Sequence, residues 1–444
     1  MNKIYFTLLT LLGIAFAKAQ TQKVWTLQEC VEYALDNNIS IKLAELQVEN
    51  VAIDKKDAIG NFIPSLNGRA TFASNTGANI DPVTNEFINT TFFSITPGIS
   101  SNLRLFDGLA NFKQLQRAKL SAVLSKYQLD QQENDILVLV ANNYLQVLLA
   151  KENLQTLLNQ HEITELSIQN TQQLVDAGSL PRGDLLEIKA TYANEEQQIV
   201  GARNNINITL INLAQSLNIS AYENFDIMVP ELDNPDDGIL MNSAANIAEK
   251  AVEDRPEIKI ADQNIEIAEK DLELAKAARF PTIDGFFNYN TRYSDNDFFN
   301  RTLREQFYLN DGYSVGVQLS VPILNGFQVS NNIARNKINI ENQRLQREQT
   351  LQNLEATIFQ VHNDARAARA RYEAALETVT ARELAFQYAQ DRYDVGLMNA
   401  FDYNQSQTQL LNARVNVNQA KYDFIFQLKI LEIYFGVDPS ELKL

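Results

Sequence analysis

Residues 39–68, "ISIKLAELQVENVAIDKKDAIGNFIPSLNG", return at 256–285 as "PEIKIADQNIEIAEKDLELAKAARFPTIDG". At a constant offset of 217, Ile41, Lys42, Ala44, Glu49, Asp54, Ala58, Pro64 and Gly68 meet identical residues. Beyond that the offset is 218, which matches "GISSNLRLFDG" (98–108) to "GVQLSVPILNG" (316–326) and "VDAGSLPRGD" (175–184) to "YDVGLMNAFD" (393–402). The one-residue slip falls between Pro64 and Gly98, where a loop absorbs it. Two long copies demand one unit built twice, with internal pseudosymmetry. A short-period solenoid is excluded, because it needs three or more repeats.

Each copy reads as a helix, a strand pair and a long helical hairpin. The first repeat is expected over 20–221, with strands at about 65–106 and a hairpin at 109–217; the second over 243–444, with strands at about 282–324 and a hairpin at 327–435. A linker, 222–242, holds Pro230 and Pro235. From Leu354 the positions Ile358, Val361, Ala365, Ala368, Tyr372, Ala375 and Val379 follow at spacings of three and four, and Phe386, Ala389 and Tyr393 resume the series. Leu410, Ala413, Val417, Ala420, Phe424, Leu431 and Tyr434 continue it on a returning helix. This is a coiled-coil seam. The proline-free run from Phe327 to Val395 would reach roughly 100 Å at 1.5 Å per residue. A helix of that length makes a rod or a wall.

Between these hairpins the period changes to two. In "YSVGVQLSVPI", Tyr313, Val315, Val317, Leu319 and Val321 share one face, and Ser314, Gly316, Gln318 and Ser320 the other. "SITPGISSNLRL" sets Ile95, Ile99, Leu103 and Leu105 against Thr96, Ser100, Asn102 and Arg104. One such strand suits a soluble sandwich, but four of them between long coiled coils in an exported chain suit a membrane barrel. Four strands cannot close a barrel in lipid, since an open edge leaves backbone groups unpaired. Several chains must contribute: two give a filled interior, three leave room for water, and four stay open to the same argument.

Export is expected from "MNKIYFTLLTLLGIAFAKA", which has Lys3, an apolar run from Ile4 to Phe16 and an Ala17-Lys18-Ala19 cleavage site, so 1–19 reads as a signal peptide. Its removal leaves 36 basic against 55 acidic residues, a net charge of −19 that argues against nucleic-acid binding. The single cysteine, Cys30, excludes an intramolecular disulfide. No later apolar run is long enough for a transmembrane helix, so any membrane entry is by strands.

The duplication, the strand pairs closed by "PSLNG" and "PTIDG", and the "DAGSLPRGD" and "YDVGLMNAFD" turns together resemble the TolC-type outer-membrane efflux channel family, over essentially the whole mature chain. The resemblance implies a homotrimer with a twelve-stranded barrel in outer-membrane lipid and a helical tunnel through the periplasm, the linker lying around the tunnel's middle. It also implies partnership with a periplasmic adaptor and an inner-membrane pump. The fold class is thus mostly α with transmembrane β. In such channels the two turns form the periplasmic tip, where the adaptor docks and the tunnel narrows. That places Gly178, Ser179, Leu180, Asp184, Gly396, Leu397 and Met398 at the docking tips, and Tyr393, Asp402 and Gln405 at the gate. Tyr393 and Asp402 match the family pattern; Met398 stands where its best-known members carry a basic residue, and Gln405 where they carry a second aspartate.

From the residues alone, Gly178 and Gly396 suit left-handed helix ends, and Asp184 and Asp402 suit N-caps, with Glu187 and Gln405 completing capping boxes. Phe286, Phe287 and Tyr289 suit either an aromatic girdle or ordinary strand positions. His161 falls on the seam as a packed core histidine, and it is not repeat-equivalent to His362. No metal-ligand cluster, Walker motif or nucleophile motif is present, so neither enzyme activity nor a cofactor is expected. A passive exit duct for efflux or type I secretion is the expected function; the alternative is a periplasmic coiled-coil structural or adaptor protein without a pore.

Overall fold

The computed structural model describes residues 24–80, 86–230, 237–297 and 299–437. The signal-peptide expectation for 1–19 lies outside them, as do residues 231–236 of the linker. The chain divides into two compact units.

One unit takes the described residues up to Ala44, Leu129–Pro256 and those from Leu351 onward. It opens with β1 (Val24–Trp25) and α1 (Leu27–Asn37). Thr26 starts α1 with a capping box: its hydroxyl accepts from Glu29 N at 3.2 Å, and its own N–H donates to Glu29 at 2.9 Å. Asn38 ends the helix, donating from its side chain to Ser216 O at 2.7 Å while accepting from Ser40 N at 2.8 Å, and α2 (Ile39–Gly60) begins at once. The second half repeats the joint with α5 (Ala244–Asp254), capped by Ser243, followed by α6 (Pro256–Ala277).

Most of this unit is coiled coil. The first hairpin is α3 (Ala110–Asp176) and α4 (Arg182–Ser216); the second is α8 (Gln328–Asp394) and α9 (Ala400–Tyr434). The expected seam is the buried stripe: Leu354, Ile358, Ala365, Ala368, Tyr372, Phe386, Ala389 and Tyr393 on α8, and Leu410, Ala413, Phe424 and Leu431 on α9. Apolar burial at that spacing, rather than intrinsic propensity, holds such helices. After α4, β4 (Asp226–Ile227) pairs in parallel with β1, a contact between distant segments that neither short strand announces in sequence. Tyr144 seals it, donating to Met228 O at 2.8 Å, while Lys151 bridges to Asp226 at 2.5 Å. Cys30 is fully buried in the cluster beneath.

The other unit, Glu45–Gln128 with Glu257–Thr350, carries a sheet. Its strands are β2 (Ser65–Ile80), β3 (Phe87–Phe106), β5 (Thr282–Asn290), a short β6 (Tyr293–Ser294) and β7 (Gly312–Ser320). The order is β2-β3-β5-β7, all antiparallel, with β6 added to β3. Two features differ from expectation. The last strand stops at Ser320 rather than near 324, because Pro322 has no N–H to give a ladder. The second strand pair also holds a helix, α7 (Leu303–Leu309), started by a Thr302–Glu305 capping box.

Candidate functional site

Antiparallel partners put their side chains on the same face, so the register sorts the sheet residue by residue. Tyr289 pairs with Tyr313, Phe287 with Val315, Gly285 with Val317 and Ile283 with Leu319; across β3 the same face takes Ile95, Ile99 and Leu103, and on β2 Phe72 and Leu66. On β7 these apolar side chains stand open, Val315, Val317 and Leu319 being 75%, 65% and 62% exposed, whereas Ile95, Leu103, Ile283 and Tyr289 are half-buried. The opposite face gathers Arg69, Thr71, Thr96, Ser100, Asn102, Arg104, Asn288, Asp284, Ser314 and Gln318. There Arg104 and Asp284 form an ion pair at 2.9 Å. Of the aromatics singled out in sequence, Phe287 and Tyr289 lie on the apolar face. Phe286 lies on the polar one, where its ring covers Gly316 so closely that a Cβ there would sit 2.6 Å from it.

At the two hairpin tips the backbone makes the same turn twice. Gly178 (φ 76°) and Gly396 (φ 74°) adopt the left-handed conformation glycine permits. Ser179 N donates to Leu174 O and Leu397 N to Arg392 O, both at 2.8 Å; Gly178 N bonds Val175 O and Gly396 N bonds Tyr393 O. Both are Schellman motifs, and they satisfy the last carbonyls of α3 and α8.

The N-cap assignments of Asp184 and Asp402, and with them both capping boxes, are overturned. The return helices start earlier, behind Pro181 and Asn399. Each Schellman turn leaves only two residues before the next helix, so the aspartates fall inside the first helical turn. Asn399 is the cap: its side-chain oxygen accepts from Asp402 N at 2.9 Å, and its amide donates to the Asp402 carboxylate at 2.9 Å. Pro181 has no side-chain acceptor. Asp402 and Gln405 are exposed, and Asp184 is half-buried.

Tyr393 is fully buried rather than exposed at a mouth. Its ring stacks on Tyr403 at 4.6 Å, and its hydroxyl bonds Thr171 at 2.9 Å. Tyr403 in turn bonds Ser167 at 2.9 Å. Burial pushes both phenols up, against the pull of Thr171 and Ser167. These four residues tie α3 to α8 and α9. Sequence reading missed Ser167, Thr171 and Tyr403, although Ser167 and Thr171 lie one helical turn apart on the seam. Leu180 and Met398 pack against this cluster, whereas Leu397 is 70% exposed beside Val395 and Phe401. Gly178 and Ser179 are exposed.

Among the described residues no three His, Cys, Asp or Glu side chains gather as a metal site, and no helix is long and apolar enough to cross a membrane.

The family model described as "Outer membrane efflux protein" matches residues 30–218 and 247–432, once in each half. "Outer membrane protein TolC" of Vibrio cholerae is 23% identical over 76% of this chain and 75% of its own length. "Proteases secretion protein PrtF" of Dickeya chrysanthemi is 22% identical over 89% and 84%. Among solved structures, the CmeC outer membrane channel of Campylobacter jejuni superposes with a TM-score of 0.77 at 19% identity, covering 92% of this chain and 85% of that one.

Proposed function

The chain belongs to the outer membrane efflux protein family, and from that membership we propose that it is the outer-membrane duct of an efflux or type I secretion assembly. Three copies close their sheets into a twelve-stranded barrel, and their hairpins line a passage through the periplasm. One observation carries this reading: a four-stranded sheet, ending in β2 and β7, whose one face is mainly apolar, broken by Ser101, and open at Leu66, Phe72, Val315, Val317 and Leu319. In water such a face and two such edges invite aggregation. In a bilayer the face meets lipid, and β7 of one copy pairs with β2 of the next, leaving no edge. The polar face then lines the pore.

The tips take the other end of the duct. Leu397 presents an exposed apolar side chain in a short turn, which suits an adaptor; Gly178, Ser179 and Gly396 allow close approach, while Leu180 and Met398 brace the turn from inside. Asp402, exposed beside it with Gln405 three residues on, supplies an acidic ring if the tips converge on the axis, and Asp184 is its counterpart at the first tip. Tyr393 acts from within, holding the turn in place through Thr171. An inner-membrane pump is the expected energy source.

Fractionation separates this from the alternative. The duct remains with outer membranes through high-salt and carbonate washing. Recovery in the soluble periplasmic fraction would favour a coiled-coil adaptor without a pore.

A further inference from the structure

Where α3, α4 and α9 meet, the seam is interrupted by a buried polar layer. Gln160 and Thr164 come from α3, Glu195 from α4 and Gln407 from α9, and all four are at least 96% buried. They converge on one atom, the Thr164 hydroxyl. It accepts from Gln407 Nε2 at 2.8 Å, lies 2.9 Å from Glu195 Oε1, and has Gln160 Nε2 at 3.5 Å. Its single proton is also claimed by the Gln160 carbonyl oxygen at 3.1 Å.

What remains unpaired is lopsided. Glu195 Oε2, Gln160 Oε1, Gln407 Oε1 and Asn404 Oδ1 are buried acceptors without a hydrogen bond; Asn404 Nδ2 and the His161 ring nitrogen Nδ1 are the other two atoms in that condition. His161 Nδ1 lies 3.6 Å from Glu195 Oε2, too far for a hydrogen bond, with its ring stacked on Tyr192 at 4.0 Å. A buried carboxylate oxygen without a hydrogen bond is among the costlier things a fold can contain. Burial accordingly pushes the Glu195 carboxyl up, although Thr164 and His161 pull it back.

The unpaired acceptors outnumber the unpaired donors, so a guest for this layer brings positive charge, which excludes anions and apolar molecules. One carboxylate calls for one positive charge. The donors are hard carboxylate and amide oxygens, unlike the thiolate or imidazole sets that select transition metals. We propose that this layer binds one monovalent alkali cation, held by the Glu195 carboxylate and the amide oxygens of Gln160 and Gln407. The cation would cross-link three helices drawn from both hairpins, next to the tips. This site does not depend on the duct reading, because every group in it belongs to one chain.

Thallium(I) tests it directly. Crystals of the full chain soaked in a thallium(I) salt should show an anomalous peak among Glu195, Gln160 and Gln407. The thermal midpoint in sodium or potassium chloride should exceed that in N-methylglucamine chloride of equal ionic strength by roughly 2–4 °C. Glu195→Gln keeps the shape and removes the charge, so it should abolish the cation dependence. No peak together with a cation-independent midpoint means that ordered water fills the layer, and overturns the proposal. Equal cation dependence in Glu195→Gln also overturns it. Should that variant fail to fold, the wild-type peak decides alone.

Discussion

At the first tip α4 begins behind Pro181, which caps nothing, and position 185 holds a leucine; at the second tip α9 begins behind a bonded Asn399, and the equivalent position 403 holds a tyrosine bonded to Ser167. The backbone turn is the same in both, down to its two Schellman bonds. In the sheet the strands differ in length, 16 and 20 residues against 9 and 9, but the facing is kept: Ile99 and Val317, at offset 218, share the apolar face, and Ser100 and Gln318 share the polar one. A sheet that must match lipid on one side is constrained equally in both copies. The tips differ, and side chains specific to the second one secure it to α3.

The largest expected effect tests that asymmetry. Tyr403→Ala empties a buried aromatic site and takes one of two partners from Ser167, which keeps its bond to Ile163 O, at a cost of about 3–5 kcal/mol. Tyr393 then loses its stacking partner, so unfolding, followed by proteolysis within the tip, should begin at the second hairpin. If Leu185→Ala opens the first hairpin just as readily, the two tips are equivalent and the comparison fails.

Lysine scanning of the sheet should show the opposite, equality between halves. Ile99→Lys and Val317→Lys should each cost about 2–4 kcal/mol near mid-bilayer and reduce assembled protein alike. Ser100→Lys and Gln318→Lys should be tolerated, as read by heat-resistant oligomer on gels.

A smaller effect separates cap from charge at the second tip. Asn399→Ala should cost about 1 kcal/mol, while Asp402→Asn should leave the thermal midpoint near wild type. If Asp402 lines the mouth, Asp402→Asn should still alter conductance, cation preference and divalent block in planar bilayers. The reverse pattern, destabilisation by Asp402→Asn alone, would restore Asp402 as the structural residue.

The subtlest test leaves the fold untouched. Leu397→Glu on the exposed apex should abolish efflux without changing oligomer level. Leu180→Glu, whose side chain packs on the tip cluster, should lower both.

Much of this was legible in the sequence because it is periodic. The seam repeats every three and four residues, the sheet every two, and the duplication doubled each pattern. The caps were misread for a local reason: Asn399 and Asp402 are both good caps, and only the length of the Schellman turn decides between them. The Thr164 layer and the Tyr393–Thr171 bond escaped because they join residues more than 200 positions apart, at 164 and 407 and at 171 and 393. The β1–β4 pair is two residues long on each side and carries no alternation to read. Helix α7 had its Thr302–Glu305 box in plain view, but it sits inside a stretch read as strand.

The central claim is that β2 and β7 are two halves of an interface between copies. It can be tested in a Cys30→Ser background by placing one cysteine at Arg69 or Thr71 and another at Ser314 or Gln318, all on the polar face, and scanning the four pairs in intact outer membranes. The account predicts that at least one pair oxidises to a ladder of dimer and trimer ending at three. Absence of intermolecular bands from every pair, or a ladder continuing past three, would contradict it.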